Sequence, residues 1–441
     1  MRIAVIGSGI SGLSTAWLLD PHHHVTLYEA APRLGGHSHT VDAIVGDRRI
    51  AVDTGFIVYN ERNYPNLVRF FDRLGIVTEP SNMSFGVSQN RGAFEYASTR
   101  WDALFAQRRR LLSPRHWAFL RDIPRFNRAA HAFLAGDEAD RPLGHWLEAH
   151  GFAARLAPHY VLPMAAAIWS APLRQVAGFS ARSFLKFFER HGLLSIADQP
   201  LWRTVTGGSR TYVERVAAGL KGAIRRGTPV AAVERGADGV VVTDATGNPD
   251  RFDAVVLATH ADQSRAMLAD RDGEEDALLA KFPYQPNRAV LHGDRRLMPK
   301  RERAWASWNF ITGDAGDPDM PVSVTYWMNL LQNIDRSAPL FVSLNPLVEP
   351  REELVHAAFD YAHPLFDTAT VDAQRDLARV QGRGGVWYAG AWCGYGFHED
   401  GITAGLWVAE HGFGVRPPWA ASPPRGPVAH GLVERAAASP V

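Results

Sequence analysis

The chain opens on a run that is apolar on both faces, Ile3-Ala4-Val5-Ile6, and β-branched residues dominate it, as in a strand at the middle of a parallel sheet. Gly7, Gly9 and Gly12 follow, residues 11–19 read as a helix, and a second strand, Val25-Thr26-Leu27-Tyr28, ends in Glu29. The pattern further predicts strands at 50–52, 229–233 and 253–259 and a helix over 211–220. Residues 100–195 read as mostly helical, with breaks at Pro114, Pro124, Pro142, Pro163 and Pro172. Strands are expected at 289–292, 322–327 and 340–344. Near the end, 386–405 reads as strand, loop and helix, and the Pro-, Ala- and Ser-rich tail of 413–441 is expected to be mobile. No internal repeat is visible, and no run reaches the roughly 20 apolar residues needed to cross a bilayer.

The strand, glycines, helix, strand and acid of residues 3–29 form a dinucleotide-binding unit. The first glycine makes the tight turn, the second lets the backbone approach a pyrophosphate, and the third lets the helix pack on the sheet. The helix N-terminus offers free N–H groups to the phosphates, so no basic side chain is required there. Glu29 lies 17 residues beyond Gly12, where a carboxylate accepts hydrogen bonds from ribose hydroxyls. An acid at this position argues against a 2′-phosphate.

Arg33-Leu34-Gly35-Gly36 resembles the RxGG segment of the amine oxidase, phytoene desaturase and protoporphyrinogen oxidase superfamily of flavoproteins, and Asp53-Thr54-Gly55 resembles its next element. Thr206-Gly207-Gly208-Ser209, the strand 229–233, the strand 253–259 and the segment VWYAGAWCGYGFHEDGITAG at 386–405 match in the expected order. The resemblance implies an α/β fold in which a Rossmann-type FAD-binding domain (1–80, 200–275 and 380–412) is interleaved with a mixed α+β substrate domain (81–199 and 276–379), whose sheet roofs the flavin. It implies noncovalent FAD held by Gly7, Gly9, Ser11, Gly12, Glu29, Ala30, Arg33, Gly35, Gly36, Thr54, Gly55, Val230, Gly390, Gly401 and Ile402. Two departures stand out: Ala391 replaces the acid that commonly follows the second Ala-Gly, and the position of the lysine that holds a water at flavin N5 in many amine oxidases falls near Arg288. The segments PMAAAIWSAP (163–172), LWRTVTGGSRTYV (201–213) and AGAWCGYGFHEDG (389–401) resemble a bacterial group of amine oxidase-like flavoproteins. One branch of that group is associated with desaturating methyl-branched fatty acyl chains on the way to furan fatty acids.

Composition is consistent with such an enzyme. With 441 residues, 46% hydrophobic, the chain can bury two cores, and a net charge of +1 argues against a nucleic-acid role. Only four of the 47 basic residues are lysines (Lys186, Lys221, Lys281, Lys300), which is read as genome base composition. The single cysteine, Cys393, excludes a disulfide framework and a thiolate cluster and fits a reducing cytoplasm; it is read as a small buried thiol rather than a flavin tether. No metal site is expected: His22-His23-His24 lies in a helix-to-strand connection where three neighbours cannot converge on one ion.

The chemistry expected is hydride transfer from a substrate C–H bond to flavin N5. Trp392, Tyr395, Phe397 and His398 are the candidate flavin-facing residues, His398 being the one titratable base among them, while Glu399 and Asp400 fit helix capping. Residues 100–128 hold eight arginines interleaved with large apolar residues, the composition of an interfacial helix at an anionic membrane or of an ordinary amphipathic helix. Acyl-chain desaturation at the inner face of the membrane is thus the first expectation. A flavin amine oxidase, with Tyr395 and Trp327 as an aromatic pair, and a non-catalytic flavoprotein that docks a partner or membrane remain open. A second GxGxxG after a strand and a CxxC are both missing, so a hydroxylase or disulfide reductase is disfavoured.

Overall fold

The computed structural model describes residues 1–441 except 196–198, 314–322, 421 and 424–441. Strand β1 (Arg2–Ile6) sits at the centre of a five-stranded parallel sheet ordered Ala223–Arg226, β2 (His24–Glu29), β1, Ala254–Leu257, Val386–Tyr388. Ile3, Ala4 and Val5 are fully buried, which is why this strand tolerates no polar alternation. Helix α1 (Ile10–Leu19) follows, and the sheet's C-terminal ends bring Gly7, Glu29, Ala258 and Ala389 to one rim, the usual ligand edge of an open parallel sheet. A three-stranded antiparallel sheet (Val230–Gly236, Gly239–Asp244, Pro249–Phe252) connects two of these strands.

A second core belongs to a seven-stranded sheet ordered Val355–Pro364, Tyr284–His292, Phe341–Leu344, Ser323–Trp327, Trp308–Ile311, Phe85–Gln89, Phe94–Ala97. The predicted strands near 289, 323 and 340 are among these; residue 322 lies outside the described residues. Phe85–Gln89 and Phe94–Ala97 were not foreseen: every residue in them is buried, so the alternation that marks a half-exposed strand is lacking. Ala43, Val52, Ile57 and Val58 also join this second core, although they fall inside the first expected FAD-domain segment.

Five helices pack beside that sheet: Pro114–Ala135, Leu143–Ala149, Leu162–Trp169, Leu173–Ala177 and Ala181–Arg190. Pro114, Pro142, Pro163 and Pro172 stand at their starts, where a missing N–H costs nothing. Pro124 does not break its helix, contrary to expectation. Phe119, Phe126 and Phe133 bury on one side of Pro114–Ala135, and their packing outweighs the ~3 kcal/mol cost of an interior proline. Among the described residues no helix is long and apolar enough to cross a membrane.

Described residues at the start of the predicted mobile tail are anchored, contrary to expectation. Val415 is buried, Trp419 stacks on Trp17 at 6.0 Å, and the peptide N–H of Ser422 donates to Asn66 Oδ1 at 2.9 Å. Residues 424–441 lie outside the described residues.

Candidate functional site

The phosphate cradle is built from backbone. Gly7 has φ +100°, and a Cβ there would meet Ala258 O at 2.7 Å; a Cβ on Gly12 would lie 1.8 Å from Gly7 O. Both positions therefore require glycine. A Cβ on Gly9 would meet nothing within 4 Å, so the turn is open on the side where α1 presents N–H groups that no side chain caps. Ser11, in the first turn of α1, is buried.

Glu29 closes the adenosine end. Its Oε2 accepts from the Ser8 peptide N–H (2.9 Å) and hydroxyl (2.5 Å), and its Oε1 accepts from Ala31 N (2.8 Å), while Ala30 between them is exposed. Thr228 N donates to the Glu29 backbone carbonyl at 2.9 Å, which sets the chain leading to Val230 beside the end of this strand. An open cleft runs past Arg33, Leu34, Ser38, Thr40, Arg210 and Arg226.

The RLGGHSHT loop folds back on this cradle. Gly35 N donates to Ser8 O at 3.0 Å, and a Cβ on Gly36 would lie 3.1 Å from Gly9 Cα, so the glycine pair lets the two turns touch. Thr54 N and Oγ1 both donate to His39 O, and a Cβ on Gly55 would lie 2.2 Å from His37 O. Asp53, which the motif reading did not place in the site, is buried and accepts from Thr40 Oγ1, Ser209 N, Ser209 Oγ and Gln332 Nε2. Burial raises its carboxyl to about 6 against the pull of those bonds.

Two buried nitrogens on this loop, Arg33 Nη1 and His37 Nε2, have no protein partner. A buried guanidinium donor without an acceptor is costly, and a ligand anion at this loop would satisfy it. With the uncapped helix, the open face of Gly9 and the held Glu29, these donors fit the pyrophosphate and ribose of FAD.

At the flavin end, helix His398–Phe413 lies parallel against α1. A Cβ on Gly401 would fall 2.7 Å from Ile10 Cγ2, and one on Gly405 would fall 2.6 Å from Ser11 O. These glycines bring two helix N-termini side by side, and Ile402 between them is fully buried. Asp400 accepts from Phe397 N (3.0 Å) and so caps its own helix, whereas Glu399 accepts from Asn66 N and Leu67 N and caps helix Pro65–Leu74.

The four aromatic candidates separate. Trp392 is packed under the turn, its ring over Gly390, with Nε1 donating to Thr259 O (3.0 Å) and its face edge-on to Phe282. That placement makes it structural. His398 stacks on Phe56 at 3.7 Å and joins a network with Ser38 Oγ (2.9 Å) and Tyr212 OH (3.2 Å); burial lowers its imidazole to about 3. A neutral ring whose Nε2 is held by two hydroxyl groups positions its neighbours and is not a poised base. Phe397 stacks on Phe187 at 5.0 Å and touches both cores. Tyr395 lines a small apolar pocket with Trp169, Phe179, Phe184 and Phe366, and Trp169 Nε1 donates to Tyr395 O.

Other expectations are corrected by strand faces. Arg288 points outward and pairs with Glu349 at 2.6 Å, so it does not stand where an amine oxidase lysine would. Its neighbour Asn287 faces inward and donates to His363 Nδ1 at 2.9 Å. Trp327 packs edge-on against Trp305 in a separate cluster, so it forms no pair with Tyr395. Cys393 is buried, which pushes its thiol up to about 12. Sequence reading missed a group of rings at the inner end of the loop: His37 lies 5.3 Å from His363, 6.0 Å from His260 and 5.0 Å from Tyr361. Tyr361 OH also meets Thr54 Oγ1 and His39 Nδ1, each at 2.8 Å. Among the described residues no cluster of His, Cys, Asp or Glu is arranged to hold a metal.

This fold and cradle define an FAD-dependent oxidoreductase with an amine-oxidase-like architecture. The chain belongs to the flavin containing amine oxidoreductase family, whose sequence model matches residues 10–299. Solved structures agree on the fold. A CLA-producing fatty acid isomerase from P. acnes superposes with a TM-score of 0.66 at 16% identity, over 93% of this chain and 98% of that one. Cyclohexylamine oxidase from Brevibacterium oxydans IH-35A gives 0.64 at 16% identity over 92% and 96%, and putrescine oxidase bound to putrescine gives 0.64 at 15% over 92% and 97%.

Proposed function

We propose that this flavoprotein is a desaturase or dehydrogenase of fatty acyl chains of membrane lipids, methyl-branched chains among them. What supports the reading is the cluster of rings Trp169, Phe179, Phe184, Phe366 and Tyr395 at the second flavin motif, an apolar lining with a small pocket among the rings. FAD supplies the acceptor for the electron pair. The substrate gives up a hydride and a proton and gains a double bond. The chain's own residues hold the apolar substrate, exclude water through the Phe187, Phe397 and Trp169 contacts, and fix the loop of 394–397 by Trp169 donating to Tyr395 O.

The amine oxidase reading has less support, because Arg288 faces away and Trp327 and Tyr395 belong to different clusters. Anaerobic mixing with phospholipid bearing methylated unsaturated chains should bleach the flavin absorbance. Unchanged absorbance with that lipid, together with bleaching by an amine, would replace this reading with amine oxidation.

A further inference from the structure

The arginine-rich segment 100–128 is not one helix. It forms two 3₁₀ turns, Trp101–Phe105 and Arg108–Leu112, ahead of helix Pro114–Ala135, whose apolar face is consumed by its own domain through Phe119, Phe126 and Phe133. The exposed apolar side chains are at the turns instead. Leu112 is 90% exposed, Trp101 68%, and Leu111 and Trp117 44% each; four of the nine exposed large hydrophobic side chains among the described residues fall here. Such clustering separates a functional patch from the scattered exposed apolar residues of any surface.

The patch is held in shape. Trp117 Nε1 donates to Leu111 O at 2.8 Å, its ring lies 6.4 Å from that of Trp101, and both pack on buried Phe105. Around this tip Arg108, Arg109, Arg115 and Arg121 are exposed. The nearby acid, Asp102, is occupied by Arg100 (3.2 Å) and Arg108 (3.9 Å), and Arg109, Arg115 and Arg121 form no ion pair among the described residues. A protruding pair of tryptophans and leucines surrounded by unpaired guanidinium groups is complementary to a surface with anionic phosphates outside and hydrocarbon beneath. An anionic bilayer has that order, with tryptophan favoured at its interface and arginine at its phosphates.

We propose that residues 101–117 are a membrane-docking tip, with Trp101, Leu111, Leu112 and Trp117 seated in the headgroup boundary of an anionic bilayer and Arg109, Arg115 and the neighbouring Arg121 on lipid phosphates. The proposal deepens the acyl-chain reading by giving the enzyme a way to reach its substrate. Its geometry and its test are independent of the chemistry.

The test is flotation of the FAD-loaded full chain with vesicles of saturated phosphatidylcholine, with or without phosphatidylglycerol. Saturated lipid without methylated double bonds keeps flavin chemistry out of the measurement. Binding is expected only with phosphatidylglycerol and should fall as salt rises. The paired changes Leu111→Ser with Leu112→Ser, and Arg109→Ser with Arg115→Ser, should each reduce binding about tenfold. Flavin absorbance and melting temperature should stay at the parent values, since all four side chains are solvent-facing. Absence of flotation, equal binding to neutral vesicles, or unchanged binding by both variants would overturn the proposal. So would a dimer in solution that Leu111→Ser with Leu112→Ser dissociates, because a second copy would then cover the tip. If the vesicles bind but lipid never bleaches the flavin, docking stands and the acyl substrate falls.

Discussion

Glu399, in the last helix of the described chain, holds the N-terminus of a helix more than 300 positions earlier: its carboxylate accepts the peptide N–H groups of Asn66 and Leu67, both at 3.0 Å. The acid is 2% exposed, so it acts as a buried cap supplied from a distance. Replacing it, Glu399→Ala, strands two N–H donors and should cost about 1–3 kcal/mol, seen as a lower melting temperature in both the apo and the FAD-loaded protein. An unchanged melting temperature would show that water replaces the carboxylate.

Arg33 acts differently in the two states. Its buried Nη1 lacks a protein acceptor, and burial lowers its affinity for a proton. Arg33→Met removes a half-buried guanidinium whose Nη1 has no protein acceptor, so the apoprotein should melt no lower than the parent. FAD affinity should fall at least tenfold, roughly the value of one charge-assisted hydrogen bond. Fluorescence titration of apoprotein with FAD and a melting curve read the two effects, and a parallel fall in both quantities would remove Arg33 from the phosphate site.

The buried imidazoles make the protein acid-sensitive. Burial lowers His39, His292 and His363 to about 4 and His398 to about 3, against an unfolded value near 6.5. Below about 6.5 the unfolded chain therefore binds more protons, and this stability, complete above that pH, is lost as pH falls towards 4. Asp53 works the other way: raised to about 6, it favours the fold as pH drops from 6 towards its ordinary value. With four histidines against one carboxyl, the melting temperature should fall between pH 6.5 and 4. A flat or rising curve over that interval would contradict the burial of these rings.

The aromatic pocket can be narrowed without deleting a ring. Ser183 lines it, and Ser183→Leu leaves intact the peptide N–H that donates to Ser180 Oγ at 3.0 Å. The change should lower kcat/KM for acyl lipid about tenfold or more while FAD affinity and the visible spectrum stay unchanged. Full activity in this variant would place the acyl chain elsewhere.

The two halves of the cofactor site were legible because each depends on local backbone demands. Gly7 needs a positive φ and Gly12, Gly401 and Gly405 need closest approach, constraints that a glycine spacing announces on its own. The histidine and tyrosine rings around His37 were not legible, since Tyr361 and His363 arrive on the strand Val355–Pro364, about 320 positions away, and no spacing marks them. Arg288 shows the sharper failure. On a strand, neighbouring residues face opposite sides, so an alignment uncertain by one position exchanges inward Asn287 for outward Arg288. The exposed tip at 101–117 was visible in composition but assigned the wrong geometry, because apolar periodicity does not tell which of two successive segments its own domain covers.

The central strand of the parallel sheet also sets a timetable. Arg2–Ile6 is synthesised well ahead of much of its sheet: one flanking strand, Ala254–Leu257, follows some 250 residues later, and the edge strand Val386–Tyr388 and the helix bearing Glu399 later still. At roughly 5–20 residues per second, the nascent β-branched strand waits on the order of 10–50 seconds with one side unpaired. A chain that stops between Pro364 and Val386 therefore has every strand of the seven-stranded sheet but lacks the edge strand Val386–Tyr388 and the last helix, and its exposed strand edge marks it for chaperones.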